Sequence, residues 1–390
     1  MKFLLILSMV CAVASQAAAA NRNIISRGNL TNSQLQFSKN KLNRVAFMGG
    51  SITQMNGYRP MVMAWLQKRF PKTKFEFINA GISSTCSTTG AFRLRSQVLA
   101  EGRVDLFFIE FAVNDDQDAA HARRDCIRGL EGIIRQARTA QPNMDIVVTH
   151  FVNPGMLAQL RAGKVPLAIA AHETVLKRYN VSTIFLAREV ADRIDAGTLT
   201  WKEFGGTHPK PPGNAIAAAM IGQLLDSAWA KKFDKKPVAH VVPAKPLDEA
   251  SYFDGQFLSP AASVNAAWTW HVPDWKKIPG SFRSNPFGGM KLLTSTEPGK
   301  ETTVKFKGRA LGAYVLAGPD AGVLEVSLDG GEWARVDLYH HHSRGLHYPR
   351  TVMFAADLKA GEHTARIRLS KKSNPASKGT AARILQFTVN

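Results

Sequence analysis

Between residues 44 and 229 the chain alternates short, nearly unbroken apolar runs with longer stretches whose apolar residues recur every three or four positions. Runs at 44–48, 75–78, 105–111, 145–150 and 182–186 have the length and content of strands buried on both faces. A strand covered on one face only would alternate apolar with polar residues. The stretches 60–70, 125–139, 168–179 and 214–230 carry the helical period. The first of them opens with Pro60, which a first helical turn accepts because the missing N–H has no partner there. Strands alternating with helices of this length predict βαβ units, hence a parallel sheet inside a three-layer α/β domain.

Past residue 232 the texture changes. Residues 233–248 hold Pro237, Pro243 and Pro246 with lysines between them and no clear period, which reads as a linker wrapping the first domain. Runs at 302–307, 311–316, 322–328, 335–338, 351–355, 363–369 and 382–389 then follow, separated by Gly, Pro and Asp. Asp329-Gly330-Gly331 between two of them is a hairpin signal. Many short strands with little helix between them predict an all-β sandwich of jelly-roll type. The division is therefore a leader at 1–20, an α/β domain at 21–232, a linker at 233–248 and a β-sandwich at 249–390.

The leader is read from Met1-Lys2, an apolar run over 3–14 and the small residues Ala18-Ala19-Ala20, the make-up of a secretory signal peptide cleaved near Ala20. It implies export, to a periplasmic or extracellular location. Cys11 lacks a convincing lipobox, so a lipoprotein anchor is the lesser reading, and no later segment is apolar for long enough to cross a membrane. Cys86 and Cys126 then stand in a compartment that permits disulfides; pairing and two separate buried thiols are both open. Fifty basic residues against thirty acidic ones give a net charge of +20. Such a surface favours polyanionic partners, and for an exported chain without a nucleic-acid motif nucleic acid ranks last.

Chemistry enters at the ends of the predicted strands. The first runs into Gly49-Gly50-Ser51-Ile52, the second into Asn79-Ala80-Gly81, the third into Ala112-Val113-Asn114-Asp115, and the last helix is preceded by Gly205-Gly206-Thr207-His208-Pro209. These points share the sheet edge where open α/β sheets bind ligands. Acyl transfer needs a nucleophile, a base and donors for a developing oxyanion; Ser51, His208 and the pair of Gly81 N–H with the Asn114 amide meet that list. Taken singly, Ser51 could cap a turn, Asn114 hold a loop and His208 be structural. Their shared position at one strand edge favours chemistry.

In order and spacing, the four blocks over about residues 40–230 resemble the SGNH (GDSL-like) hydrolase superfamily. That resemblance implies a flavodoxin-like sheet, Ser51 as nucleophile, His208 as base and an oxyanion hole of the Ser51 and Gly81 N–H groups with Asn114. Ester hydrolysis by these groups needs no metal or organic cofactor, and Arg59 and Asp115 are candidate substrate contacts. Exported members joined to a β-sandwich look like carbohydrate esterases that deacetylate polysaccharides, so an acetylated glycan, acidic in one version, is the expected partner. Two rivals stand beside it: a lipid or thioester hydrolase of the same fold, and a glycan-binding protein without catalysis.

The chain departs from the family pattern twice. Gly50 stands where the first block usually has Asp, and Gly205 stands three residues before His208, where the family places its triad acid. Glu203 is the nearest substitute, with Glu110, Asp115, Asp116 and Glu173 more distant; a Ser-His dyad is the alternative. In the second domain, Trp268, Trp270 and Trp275 could stack on sugars, although core packing is the commoner use. Consecutive His340, His341 and His342 in a strand would point to opposite faces and so make a poor metal site.

Overall fold

The structure, a computed structural model, describes residues 21–39, 41–230 and 236–390. The expected signal peptide and the first residues of the linker, Phe233 included, lie outside the described residues. The N-terminal sheet has five parallel strands, β2 (Leu42–Gly49), β3 (Lys74–Gly81), β4 (Leu106–Glu110), β5 (Asp145–Thr149) and β6 (Ser182–Ile184), in the order β3-β2-β4-β5-β6. The short β1 (Ile24–Ile25) closes the far edge antiparallel to β6. From β2 the chain steps to β3 on one side and then to β4 on the other. The crevice at their C-terminal ends is therefore a topological switch point.

The apolar runs are unbroken because each strand feeds two cores. Val45 and Phe47 of β2, Leu106 and Phe108 of β4 and Val147 of β5 pack on one face, beneath α1 (Thr31–Phe37), α3 (Tyr58–Arg69), α8 (Leu186–Asp195) and α10 (Pro211–Trp229). Ala46, Met48, Phe107, Ile109, Ile146 and Val148 face the other way, beneath α4 (Ser87–Gln97), α5 (Arg123–Ala140) and α7 (Leu167–Arg178). The alternation is the period of two that a strand imposes.

Two helices the hydrophobic pattern did not announce explain themselves. All of Ser87 through Leu94 in α4 is buried, polar residues included, so no solvent face marks the element. Helix α8 does carry a helical period; reading Leu186 as the end of the fifth strand hid its start. Pro60 lies third in α3 rather than first, still within the turn where its absent N–H costs nothing.

The C-terminal region forms two antiparallel sheets. One contains β10 (Glu301–Gly308), β15 (Gly361–Leu369), β12 (Val323–Leu328) and β13 (Trp333–Asp337) in that order. The other runs β14 (Tyr348–Ala355), β11 (Leu311–Ala317), β16 (Ala382–Val389), β9 (Leu292–Ser295) and β8 (Thr269–His271), with β7 (Gln256–Leu258) also paired to β16. Strand β10 alternates as a half-solvated strand should, with Thr302, Val304 and Phe306 inward. Strand β11 is buried throughout: Leu311, Ala313, Val315 and Ala317 enter the sandwich core, while Tyr314 and Leu316 pack with Ile82 of the first domain. One face of this sheet is thus the seam between domains. Trp268 is buried in the sandwich core, its Nε1 donating to the Lys300 carbonyl at 3.0 Å.

Residues 236–248 run along the first domain without helix or strand. His240 Nε2 meets Asp145 Oδ1 at 2.8 Å, the Leu247 N–H reaches Glu131 Oε1 at 2.6 Å, and Asp248 pairs with Arg124 and Arg128. Arg124 and the buried Arg128 also bind Asp357 of the second domain. Cys86 and Cys126 are buried and unpaired. No helix among the described residues is long and apolar enough to cross a membrane.

Candidate functional site

Strand β2 ends at Gly49, and the chain turns at once into the single helical turn α2 (Ser51–Gln54). That turn sets Ser51 at the switch point, with its N–H among the first-turn amides that have no intrahelical partner. Gly50 is needed because a Cβ there would stand 2.0 Å from Asn114 Oδ1. This contact brings the first and third blocks together and gives a steric reason for glycine where the family pattern has a carboxylate. Gly49 is enclosed in the same way by Thr53 and Glu110.

His208 arrives from the opposite end of the domain on the loop between α9 (Trp201–Phe204) and α10. The Lys210 N–H donates to the Phe204 carbonyl at 2.9 Å, and Asn214 Nδ2 donates to the Pro209 carbonyl at 2.6 Å. Asn214 also packs against Gly57, two steps beyond the Ser51 turn, where a Cβ would come within 2.4 Å of Oδ1. So held, His208 places Nε2 2.7 Å from Ser51 Oγ, with the imidazole exposed to solvent.

The expected triad acid is corrected. Glu203 turns back to its own helix start, where its carboxylate accepts from the Thr200 N–H and Oγ1, each at 2.7 Å, completing a capping box with Thr200. Those hydrogen bonds hold its carboxyl below the usual range. The signal was present in the sequence as Thr200-Trp201-Lys202-Glu203, the spacing of that motif. Gly205 excludes a replacement at the family's position: its φ is +105°, and a Cβ would lie 2.1 Å from the Lys210 N. Among the described residues no carboxylate forms a hydrogen bond or ion pair with His208; the ring's only such partner is Ser51.

The more distant carboxylates have other partners. Asp116 accepts from Asn153 Nδ2 at 2.8 Å, and Glu173 is held by Arg27, His150 and Thr183. Asp115, expected as a substrate contact, is completely buried; it accepts from the Ser87 N–H and Oγ at 2.8 and 2.7 Å and meets His172 Nε2 at 2.8 Å. Burial opposes its charge, yet the His121 and His172 contacts prevail and hold it well below the ordinary range. It fixes the third block from beneath instead of facing a ligand. Arg59 likewise braces the turn after Ser51, with Nε on the Thr53 carbonyl at 3.3 Å and Nη2 on Asn56 Oδ1 at 3.0 Å.

Of the expected oxyanion donors, Asn114 opens a single π turn, Asn114–Asp118, and its Nδ2 donates to Asp118 Oδ2 at 2.5 Å. One amide hydrogen is left over. The Gly81 N–H is already taken by Asn79 Oδ1 at 3.0 Å, so in this structure it is not free for an oxyanion.

Two buried groups that hydrophobic patterning passes over shape the crevice. Arg93 of α4 is fully buried, and its guanidinium donates to the Gly49 and Ala80 carbonyls, tying together the ends of β2 and β3. Burial lowers its pKa to about 10. Glu110, at the end of β4, lies under the Ser51 turn, receiving Thr53 Oγ1 at 3.3 Å and the Gly50 N–H. Burial raises its pKa to about 8, so near neutral pH it is a carboxylic acid. A charged residue inside an apolar run, as in Phe107-Phe108-Ile109-Glu110-Phe111, is the signal that could have found it.

Beside the second block a cavity of about 860 Å³ opens between the domains, lined by Gln54, Asn79 and Gly81 on one side and by Phe287, Met290 and Tyr314 on the other. The Tyr314 hydroxyl is buried without a hydrogen-bond partner.

Residues 47–216 match the GDSL-like Lipase/Acylhydrolase family. Among solved structures, a two-domain esterase (CEX) active on acetylated mannans is similar over 94% of this chain and 96% of its own, with 21% identity and a TM-score of 0.75. The same esterase co-crystallised with mannopentaose is similar over the same shares at 21% identity, with a TM-score of 0.72. At that identity the likeness speaks for the two-domain fold. No curated protein matches the chain.

Proposed function

From the premise that residues 47–216 are a GDSL-like lipase/acylhydrolase domain, we propose that the chain is a serine esterase that removes acetyl groups from a glycan through an acyl-enzyme. The observation that carries this reading is the 2.7 Å approach of His208 Nε2 to Ser51 Oγ at the switch point, beside the Asn114 amide. Ser51 Oγ attacks the ester carbonyl as Nε2 takes its proton. The oxyanion is met by the Ser51 N–H and the spare Asn114 Nδ2 hydrogen. His208 then returns the proton to the leaving sugar hydroxyl and activates the water that releases acetate. The imidazole works as one half of a dyad, because the family's acid position is a glycine that cannot accept a side chain.

A sugar substrate is supported by the fold shared with the two-domain esterase active on acetylated mannans and by the cavity that both domains line next to Gly81. Export through the N-terminal leader would bring the chain to such a polymer, and its +20 charge would suit one carrying acidic groups. The test is hydrolysis of acetylated oligosaccharides compared with long-chain esters. Wild type should prefer the former, and Ser51→Ala should lose both turnover and covalent labelling by a fluorophosphonate. Wild-type turnover in Ser51→Ala would reject the nucleophile; a preference for long-chain esters would reject the glycan in favour of a lipid.

A further inference from the structure

The Asn114 amide is held by little. Its Oδ1 is buried without a partner, so the orientation of the group rests on packing against Gly50 and on one hydrogen bond, from Nδ2 to Asp118 Oδ2. Asp118 is in turn held from the second domain. The Tyr348 hydroxyl, at the start of β14, donates to Asp118 Oδ1 at 2.9 Å, with the Ser84 carbonyl a weaker neighbour at 3.5 Å. His340 Nε2 donates to the Asp118 backbone carbonyl at 2.7 Å, and His342 Nε2 lies 3.7 Å from Oδ1. The Asp118 side chain is 8% exposed, so water competes poorly for these contacts.

We propose that Tyr348 is a positioning residue for the oxyanion site, acting through Asp118 on Asn114, so that the β-sandwich supplies part of the first domain's active-site alignment. The proposal rests on the reading of Asn114 as an oxyanion donor. Each Asp118 oxygen accepts one side-chain hydrogen bond, Oδ1 from Tyr348 and Oδ2 from Asn114, with His342 farther from Oδ1 at 3.7 Å. Without the phenol the carboxylate can rotate or take up water at Oδ1. The amide then loses the one polar contact that aims its second hydrogen. A donor displaced from the oxyanion weakens transition-state binding while leaving ground-state binding of the sugar in place.

The test is a double-mutant cycle on the full chain, with an acetylated oligosaccharide as substrate and folding checked by thermal melting. Tyr348→Phe should lower kcat by about tenfold, the scale of one hydrogen bond to a charged group, with KM within about twofold. In an Asn114→Ala background the same change should cost no more than about twofold further. Asp118→Ala should show the same non-additivity, and it decides the matter if Tyr348→Phe does not fold. Full kcat in Tyr348→Phe, or an equal loss in both backgrounds, overturns the relay. If Asn114→Ala itself keeps full kcat, the oxyanion reading falls and takes the relay with it. An impaired Asn114→Ala beside an unimpaired Tyr348→Phe removes the relay alone.

Discussion

At the residue scale the buried carboxyl of Glu110 makes the sharpest statement about pH. An unfolded glutamate titrates near 4.5, whereas burial moves the folded group to about 8. Between those values the unfolded chain has lost the proton that the folded chain keeps, so stability falls as pH rises across the window and levels off above it. Glu110→Gln preserves the shape and a donor–acceptor pair without the titration. Its melting temperature should therefore change less than that of wild type from pH 4.5 to about 8. Parallel melting curves for the two proteins would show that Glu110 is not the group responsible. The run 107–111 holds an ionisable residue inside an apolar strand; only its complete burial accounts for its neutrality, against hydrogen bonds from the Gly50 N–H and Thr53 that favour the carboxylate.

At the scale of elements, α9 separates two roles that sequence spacing confused. Glu203 lies near His208 along the chain, but a helical turn whose first amides need partners competes for its carboxylate, and Thr200 wins. Glu203→Ala should leave kcat within about twofold of wild type and lower the melting temperature slightly. Removal of a true orienting acid costs ~10⁴ in a well-studied serine protease, so kinetics on a soluble acetyl ester separate the two cases cleanly. Helix α4 teaches a related lesson. Its polar residues from Ser87 to Leu94 are buried, Arg93 and Ser87 holding the ends of β2 and β3 and the third block, and turns buried all round leave no amphipathic stripe to read.

At the scale of the whole molecule, Asp248 and Asp357 converge on Arg128 of α5, whose side chain is 3% exposed, and so join linker, first domain and second domain. Burial opposes the charge of Asp248, but the Arg128 and Arg124 hydrogen bonds overcome it and hold its pKa at about 2, below the ordinary 3.8. Stability from this group is present above 3.8 and is lost as pH falls through about 2, because the unfolded chain takes up the proton first. Asp248→Asn should melt lower near neutral pH and show a flatter acid limb in unfolding from pH 6 to about 2. An acid limb as steep as that of wild type would count against this joint.

Local pattern alone determined the alternation of strands and helices, the change to short strands past the linker, the strand-end positions of Ser51, Gly81 and Asn114, and the loop before the last helix that carries His208. Each of these follows from nearest-neighbour chemistry: burial on both faces of a strand, a turn at glycine, a loop at the carboxyl end. Which groups meet across the chain was left to the tertiary structure. It set His208 on Ser51 from 157 residues away, turned Glu203 back to its own helix, enclosed Asp115 and Glu110, and brought Tyr348 to Asp118. A buried polar group takes the partner that packing places within reach. Spacing in the chain does not encode that distance.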